Sequence, residues 1–548
     1  MQEIESNILD TLKLDTALRL AKQKSKEGST VEARTIYKDI LYKFPKNKKA
    51  IEGIKALLGK TKVINKTSEI QGPSQDSLQP LIDLYEQGQH EKALYHVTSL
   101  LRNFPNSAML YNICGAAYQG LGQIDAAIYN FKKATSIDPF YADAYSNMGI
   151  ALQNQVKLNE AVEAYKKALS IKPNHFDIYY NMGNALQDQG KLEEAIEAYK
   201  KTLFIKPDFA DANYNMGIAL QDQGKLEEAI EAYKKTLSIK PNYAEAYHNM
   251  GTAFKTLAKL EESIDAYKKA LAIKPKIPEA HINMGNALKE QGKLNEAIEA
   301  YVNGLSIKPD NAEAINSMGN ALKEQGKLKE AIEAYENGLL IKPDNAEVIN
   351  NMGNALKEQG KLQEAIKAYK KALNIKLDYA EAYYNMGNTL QEQGKLEEAI
   401  EAYKKALAIK PNYAEAINNM GNTLQNQGKL EEAIEAYNNA TSIKPENAVT
   451  YNNMGAVLKS QGKPGEAIAA YKKALSIKPY YAEAYYNMGT VLNGLGKPEE
   501  ALSAYKKALE INPDFSKASA GMGECLLKIG KFEEGRSLIQ KTDGSISL

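Results

Sequence analysis

A 34-residue period is the feature of this sequence that most restricts its fold. Prolines mark the period, and one glycine recurs in thirteen successive repeats. The chain has 548 residues, far more than one ordinary core needs. A period of this length predicts a stacked array, in which each repeat contacts its neighbours. The prolines are Pro105, Pro139, Pro173, Pro207, Pro241, Pro275, Pro309, Pro343, Pro411, Pro445, Pro479 and Pro513, and the glycines are Gly115, Gly149, Gly183, Gly217, Gly251, Gly285, Gly319, Gly353, Gly387, Gly421, Gly455, Gly489 and Gly523.

Each repeat contains two helical patterns separated by a turn. In residues 176–209 the turn falls at Gly190, and Pro207 ends the second pattern because proline cannot continue a helix. The positions at helical spacing are Tyr179, Met182, Gly183 and Leu186 in the first pattern and Leu192, Ala195, Ile196, Tyr199 and Leu203 in the second. This spacing predicts two amphipathic helices. A glycine in the middle of a helix costs roughly 1 kcal/mol against Ala, so its recurrence indicates a close steric contact.

The pattern resembles the tetratricopeptide repeat (TPR), a helix–turn–helix unit of the same length. The family's slots are filled here by Tyr179, Met182, Gly183, Ala195, Tyr199, Thr202 and Pro207. The chain contains no Trp, so Tyr or Ile stands where the family usually has Trp in the first slot. The resemblance implies an all-α fold, a right-handed superhelical solenoid of antiparallel helix pairs. It also implies that the first helix of each pair lines a concave groove.

Three segments are expected along the chain. Residues 78–548 are predicted to form an array of about fourteen 34-residue units. Residues 1–58 are predicted to form a divergent N-terminal helical module, because Ala33 and Tyr37 stand in the slots of Ala195 and Tyr199. Residues 59–77 are polar, contain Gly, Pro and Ser, and lack apolar periodicity, so a flexible linker is predicted there.

Asparagine occupies one slot of the repeat ten times, directly before the Met and two residues before the Gly. These residues, here called the asparagine ladder, are Asn147, Asn181, Asn215, Asn249, Asn283, Asn351, Asn385, Asn419, Asn453 and Asn487. Ser317 is the one internal break. An amide side chain donates and accepts hydrogen bonds at once, which matches the N–H and C=O groups of a peptide backbone. We therefore expect the ladder to bind peptide, and the alternative is that each Asn bridges adjacent helices within the array.

The ladder also resembles the one that lines the repeat superhelix of protein O-linked N-acetylglucosaminyl transferases, where it holds substrate polypeptide. We expect a protein–protein interaction scaffold that binds an extended polypeptide in the concave groove. The alternative is a substrate-recognition TPR arm of a glycosyltransferase or sulfotransferase whose catalytic domain is absent from this chain. Similar arrays precede such domains in bacterial proteins, and the chain ends at Leu548 without an obvious polar capping helix. A third alternative is homo-oligomerisation, because near-identical repeats can pair end to end.

Catalytic motifs are absent from the sequence. It contains no P-loop, no G-x-G-x-x-G after a strand and no H-E-x-x-H. The five histidines form no metal-ligand pair at helical spacing on one face. We therefore expect no enzyme, no catalytic residue, no metal and no cofactor.

Charge and cysteine usage limit the class of partner and the compartment. The net charge is +1, which gives no general preference for nucleic acid or for a membrane surface. The charge is uneven, however, because residues 1–66 contain 15 Lys and Arg against 8 Asp and Glu. This lysine-rich surface fits an acidic partner. Two distant cysteines, no signal peptide and no apolar run near ~20 residues together predict a cytoplasmic protein.

Overall fold

The computed structural model of the chain describes residues 12–27, 29–44, 47–64, 73 and 75–546. Over those residues it contains 31 helices and no strand, and consecutive helices are packed in pairs. This confirms the predicted all-α fold of antiparallel helix pairs. The right-handed superhelical twist stays a prediction. The chain divides into two compact parts, an N-terminal part of Met1–Glu228 and a C-terminal part of Ala229–Leu548.

Three helices come first, followed by fourteen helix pairs, and we call the first helix of a pair helix A and the second helix B. The first three are α1 (Leu14–Lys26), α2 (Thr30–Lys43) and α3 (Lys48–Ile64). The helices A are α4 (Gln75–Glu86), α6 (Ala108–Gly120), α8 (Ala142–Asn154), α10 (Phe176–Asp188), α12 (Ala210–Asp222), α14 (Ala244–Thr256), α16 (Pro278–Glu290), α18 (Ala312–Glu324), α20 (Ala346–Glu358), α22 (Ala380–Glu392), α24 (Ala414–Asn426), α26 (Ala448–Ser460), α28 (Ala482–Gly494) and α30 (Ser516–Lys528). The helices B are α5 (His90–Asn103), α7 (Ile124–Ile137), α9 (Leu158–Ile171), α11 (Leu192–Ile205), α13 (Leu226–Ile239), α15 (Leu260–Ile273), α17 (Leu294–Ile307), α19 (Leu328–Ile341), α21 (Leu362–Ile375), α23 (Leu396–Ile409), α25 (Leu430–Ile443), α27 (Pro464–Ile477), α29 (Pro498–Ile511) and α31 (Phe532–Ile546).

Both ends of the predicted linker, 59–77, are helical. Helix α3 continues to Ile64, and helix α4 begins at Gln75. Nothing in 60–64 stops the helix, because Lys60 and Lys62 are good helix formers and the nearest proline is Pro73. Residues 65–72 and 74 of the predicted linker lie outside the described residues. The division of the chain into a module, a linker and an array stays a prediction.

The turn within each repeat uses a left-handed residue at the end of helix A. Gly190 has a φ of +74°, and the backbone N–H of Lys191 donates to the C=O of Leu186 at 2.9 Å. This is the arrangement with which glycine commonly ends a helix. Val156 and Ala258 replace that glycine in two repeats and still take φ values of 59° and 56°. The neighbouring helices therefore impose the turn even where a Cβ opposes it.

The recurrent glycine of helix A lies against an aromatic ring of helix B in the same repeat. A Cβ added to Gly183 would lie 2.6 Å from Cε1 of Tyr199, which is fully buried. The same contact recurs in most repeats, for example at 2.8 Å between Gly285 and Tyr301. The close steric contact that the sequence indicates is therefore a contact with the buried ring rather than with the backbone of helix B.

Glutamines at the turns connect consecutive repeats. The Nε2 of Gln155 donates to the Asp125 carboxylate at 2.8 Å, and the Nε2 of Gln325 donates to the Oδ1 of Asn295 at 2.7 Å. In both cases the acceptor lies at the start of helix B of the preceding repeat. Polar side chains therefore join neighbouring repeats at the turns in addition to the apolar contacts.

Candidate functional site

Every asparagine of the ladder lies in the middle of a helix A and is half-buried. Asn147, Asn181 and Asn215 belong to the N-terminal part, and the other seven belong to the C-terminal part. The adjacent Met and Gly face helix B, so the ladder position falls at the edge of the packed surface. Each of the ten helices A that carry a ladder asparagine therefore has one amide partly open to solvent.

Most ladder amides donate a hydrogen bond to the preceding repeat. The acceptor is the residue one position before the ladder slot of that repeat. The Nδ2 atoms of Asn385 and Asn487 donate to the Oδ1 atoms of Asn350 and Asn452, both at 3.1 Å. Asn147 donates to Asn112 at 3.0 Å, and Asn351 donates to Asn316 at 3.5 Å. The alternative that the asparagines bridge adjacent helices therefore describes these contacts.

A second acceptor extends this bridge into a three-residue chain. The Nδ2 of Asn419 donates at 2.9 Å to the Oδ1 of Asn388 and at 3.2 Å to the hydroxyl of Tyr384. The hydroxyl of Tyr403 donates to the same Asn388 oxygen at 2.7 Å. Burial raises the pKa of Tyr403, so its hydroxyl stays protonated and can donate. The chain recurs as Tyr199–Asn184–Asn215 and as Tyr437–Asn422–Asn453.

Two ladder residues, Asn181 and Asn283, make no such bond. The residues of the preceding repeat that would accept are Ser146 and Ile150 for Asn181, and His248 and Thr252 for Asn283. None of these is Asn or Tyr. Within the part of the chain that the structure describes, neither amide has a hydrogen-bond partner. These two asparagines therefore keep both donor and acceptor available.

The bridging asparagines also keep free groups, because a side-chain amide has two N–H donors. Asn215 and Asn419 donate to two acceptors each, whereas the others donate to one, namely Asn147, Asn351, Asn385, Asn453 and Asn487. Among the described residues, no donor reaches the Oδ1 atoms of Asn147, Asn215, Asn351, Asn385, Asn453 and Asn487. The Oδ1 of Asn419 accepts from the Nδ2 of Asn418 at 3.2 Å. Amide oxygens are therefore the groups that most ladder residues keep available, and Asn181 and Asn283 keep the whole amide. The expectation that the ladder binds peptide stays a prediction.

Acidic residues at the start of helix A border the ladder and bind lysines. Asp143 pairs with Lys172 at 2.7 Å, and Glu415 pairs with Lys444 at 3.0 Å. The hydrogen bond from Lys444, aided by the Glu415 backbone N–H, holds the pKa of the Glu415 carboxyl below its ordinary value. These pairs are exposed, and such pairs contribute little to stability, typically ~0–1 kcal/mol. The acidic edge is therefore partly neutralised by the protein itself.

The acceptors that fix the ladder amides are residues that sequence reasoning missed. Tyr180, Tyr384, Asn350 and Asn452 each stand directly before a ladder residue of their own repeat. The sequence signal for these acceptors is their spacing. Asn or Tyr stands 35 positions, one repeat plus one residue, before the ladder asparagine that donates to it. The second asparagines, such as Asn388, precede their donors by 31 positions. Asn or Tyr 35 positions before a ladder residue, or Asn 31 positions before it, therefore distinguishes the bridging asparagines from Asn181 and Asn283.

Comparison with protein-family models identifies the class of protein. Tetratricopeptide repeat models match residues 115–156, 157–190, 183–224, 208–276, 446–514 and 492–544. The model of the C-terminal domain of cilia and flagella-associated protein 70 matches residues 243–454. With the paired helices described above, these matches show that the chain is a tetratricopeptide repeat protein. The resemblance to O-linked N-acetylglucosaminyl transferases is not confirmed by them and stays a prediction.

Several solved structures are similar to the chain. MamA is 30% identical over 30% of this chain and 95% of its own, with a TM-score of 0.29. YrrB, a TPR protein with an unusual peptide-binding site, is 25% identical over 34% of this chain and 96% of its own, with a TM-score of 0.30. The Cut9–Hcn1 hetero-tetramer of APC/C is 16% identical over 81% of this chain and 95% of that chain, with a TM-score of 0.37. No curated protein matches the chain.

Two absences among the described residues, and two buried thiols, bear on the class of site. No helix there is both long enough and apolar enough to cross a membrane. No group of three or more His, Cys, Asp or Glu side chains there has the arrangement of a metal site. Cys114 and Cys525 are buried free thiols, and burial raises the pKa of Cys114 to about 11. A buried thiol in this protonated form is a packing residue rather than a nucleophile.

Proposed function

We propose that this TPR protein is an interaction scaffold that binds an extended polypeptide along the asparagine ladder. The observation that carries the proposal is that half-buried amides recur on the helices A within each part of the chain, and that most of their oxygens accept no hydrogen bond from the described residues. A peptide in extended conformation leaves backbone N–H groups free, and these could donate to the ladder oxygens. Asn181 and Asn283 could in addition donate to backbone C=O groups. Such contacts would hold a chain with little dependence on its side chains.

The bridging hydrogen bonds support binding rather than oppose it. Tyr403 and Asn388 restrict the Asn419 side chain before any ligand arrives. Rotamer entropy that is already lost in the free protein is not lost again on association. A fixed row of acceptors is therefore a better peptide site than a row of mobile amides. The same surface would serve a separate scaffold or the substrate-recognition arm of a transferase.

The first experiment identifies the bound segment and tests backbone recognition. Cross-linking and mass spectrometry on the full chain would locate partner segments next to helices A. A synthetic peptide of that segment is then compared with versions in which single amides are replaced by esters, each of which removes one N–H donor. We expect several esters to lower affinity by about 2- to 10-fold each, the equivalent of ~0.5–1.5 kcal/mol per hydrogen bond. Equal affinity for every ester would refute backbone binding by the ladder.

Two alanine variants separate binding from internal stability. Asn283 has no internal partner, so Asn283→Ala should leave thermal stability unchanged and weaken peptide binding. Asn419 makes two internal bonds, so Asn419→Ala should lower thermal stability as well. Full affinity in a folded Asn283→Ala variant, with the peptide cross-linked at α16, would show that the ladder serves only to join repeats.

A further inference from the structure

The N-terminal helices α1 and α2 have the register of a repeat. Helix α1 has 13 residues, as α10 does, and α2 has 14 residues, as α11 does. Ala33 and Tyr37 are buried like their counterparts in α11. With this register, the ladder slot of α1 holds Arg19, and the slot three residues later, where α10 has Asn184, holds Lys22. The helix face that carries amides in the array therefore carries cations in α1.

Helix α3 starts in the register of the next helix A and has glycine in its ladder slot. That residue is Gly53, and a Cβ added to it would overlap the ring of Tyr37. Glycine is thus required by the buried tyrosine ring. Between α1 and α3 lies a cavity of about 750 Å³, which we call the N-terminal pocket. This volume falls within the range of roughly 300–1,000 Å³ that is typical of ligand sites.

The lining of the N-terminal pocket is predominantly basic. Its charged residues are the cations Arg19, Lys22, Lys26 and Lys49 and the acids Asp15 and Glu52. All six are exposed. Among the described residues, none of the four cations has an ion-pair partner. Lys24, on the same helix but outside the pocket, does pair with Glu32 at 2.8 Å.

We infer that the N-terminal pocket binds an acidic peptide segment through its Asp or Glu side chains. Four unpaired cations around one cavity attract carboxylates, and Arg19 can hold a carboxylate with two parallel hydrogen bonds. Asp15 and Glu52 would repel a dense polyanion such as a nucleic acid, whereas they can accept from peptide N–H groups. Leu18, Tyr37 and Ala56 supply apolar wall for the carbon atoms of the segment. The inference does not depend on the asparagine ladder.

The test uses the full chain and a fluorescein-labelled peptide, Gly-Glu-Glu-Gly-Glu-Glu-Gly, followed by fluorescence anisotropy at physiological salt. The main variant is Arg19→Asn with Lys22→Asn, which gives α1 the residues that α10 has in the same slots. The control is Lys234→Asn with Lys235→Asn, which removes the same charge from an exposed face of α13. We expect the main variant to lose about tenfold or more in affinity, as hydrogen bonds to charged groups predict, and the control to match the wild type.

Further measurements make the outcome decisive. Ala56→Glu keeps every cation but adds a carboxylate to the pocket, so it should also weaken binding, and hydrogen exchange in α1–α3 shows whether each variant is folded. The same peptide with Gln in place of Glu should not bind. The inference is overturned by a wild type that does not bind the Glu peptide, by equal losses in the main variant and the control, or by equal binding of the Gln peptide. It is also overturned by tighter, Arg19-dependent binding of an oligothymidylate.

Discussion

Replacing Gly285 with alanine isolates the steric requirement at the centre of each repeat. The new Cβ would lie 2.8 Å from Cε1 and 2.9 Å from Cδ1 of Tyr301. The ring has no room to move, because Tyr301 is fully buried and its hydroxyl donates to the Oδ1 of Asn286 at 2.7 Å. Overpacking of this kind typically costs ~1–3 kcal/mol. Alanine also gains roughly 1 kcal/mol in helix propensity over glycine, so the net destabilisation should be about 0–2 kcal/mol.

Gly338 provides the matched control. It also lies inside a helix, but a Cβ there meets nothing closer than Cγ2 of Ile315 at 3.5 Å, an ordinary contact. Ala372 already occupies the same slot in the next repeat. Gly338→Ala should therefore stabilise its repeat by roughly 1 kcal/mol. The propensity gain is common to both variants, so their difference, ~1–3 kcal/mol, measures the clash alone.

Hydrogen exchange reports these changes repeat by repeat, which a single melting curve of a long array does not. Each variant is compared with the wild type. The change in protection of α16 and α17 caused by Gly285→Ala should be lower than the change in α18 and α19 caused by Gly338→Ala, by a factor of roughly 5 to 150. Gly285→Leu should cost more, because further carbon atoms meet the same ring. Equal changes in the two alanine variants would refute the reasoning. The reasoning would also be refuted if Gly285→Ala were just as destabilising in a Tyr301→Leu background, which lacks the ring.

Three other predictions follow from the same contacts. Ser317→Asn fills the break in the ladder, and its amide should donate to the Oδ1 of Asn286, so local stability measured by hydrogen exchange should rise by ~0.5–1.5 kcal/mol. Burial lowers the pKa of His248 below its ordinary value, so the unfolded chain binds more protons there and stability should fall as pH drops below about 6.5. His248→Tyr, which introduces the residue found in this slot of other repeats, should have a smaller difference in melting temperature between pH 7.5 and pH 5.5 than the wild type. Limited proteolysis should cut first within 65–74, because that sequence is polar and aperiodic, and earlier cleavage inside the array would contradict this.

The repeat architecture was predictable from the sequence because it depends on short-range spacing. Apolar positions at helical spacing, a turn glycine such as Gly190 and a closing proline such as Pro207 all act within one repeat. The turn also forms where its glycine is replaced, since Val156 takes the left-handed conformation. The helix ends on either side of the predicted linker were less predictable. Helix α3 continues into 60–64 because Lys60 and Lys62 have good helix propensity and no proline stands there to end the helix.

At the candidate site, the sequence pattern of a single repeat is not enough to tell which polar groups remain available. The ten ladder asparagines occupy the same slot of their own repeats, yet among the described residues Asn419 has two internal acceptors and Asn283 has none. The difference lies in the preceding repeat, at residues that come close only when one helix A packs beside the next. The unpaired state of Arg19 likewise depends on which acids α1 and α3 bring within reach. The sequence by itself determined which side chains recur, because recurrence is a property of one repeat. Only the tertiary structure decided which polar groups remain available, because hydrogen bonds and ion pairs are distributed between repeats.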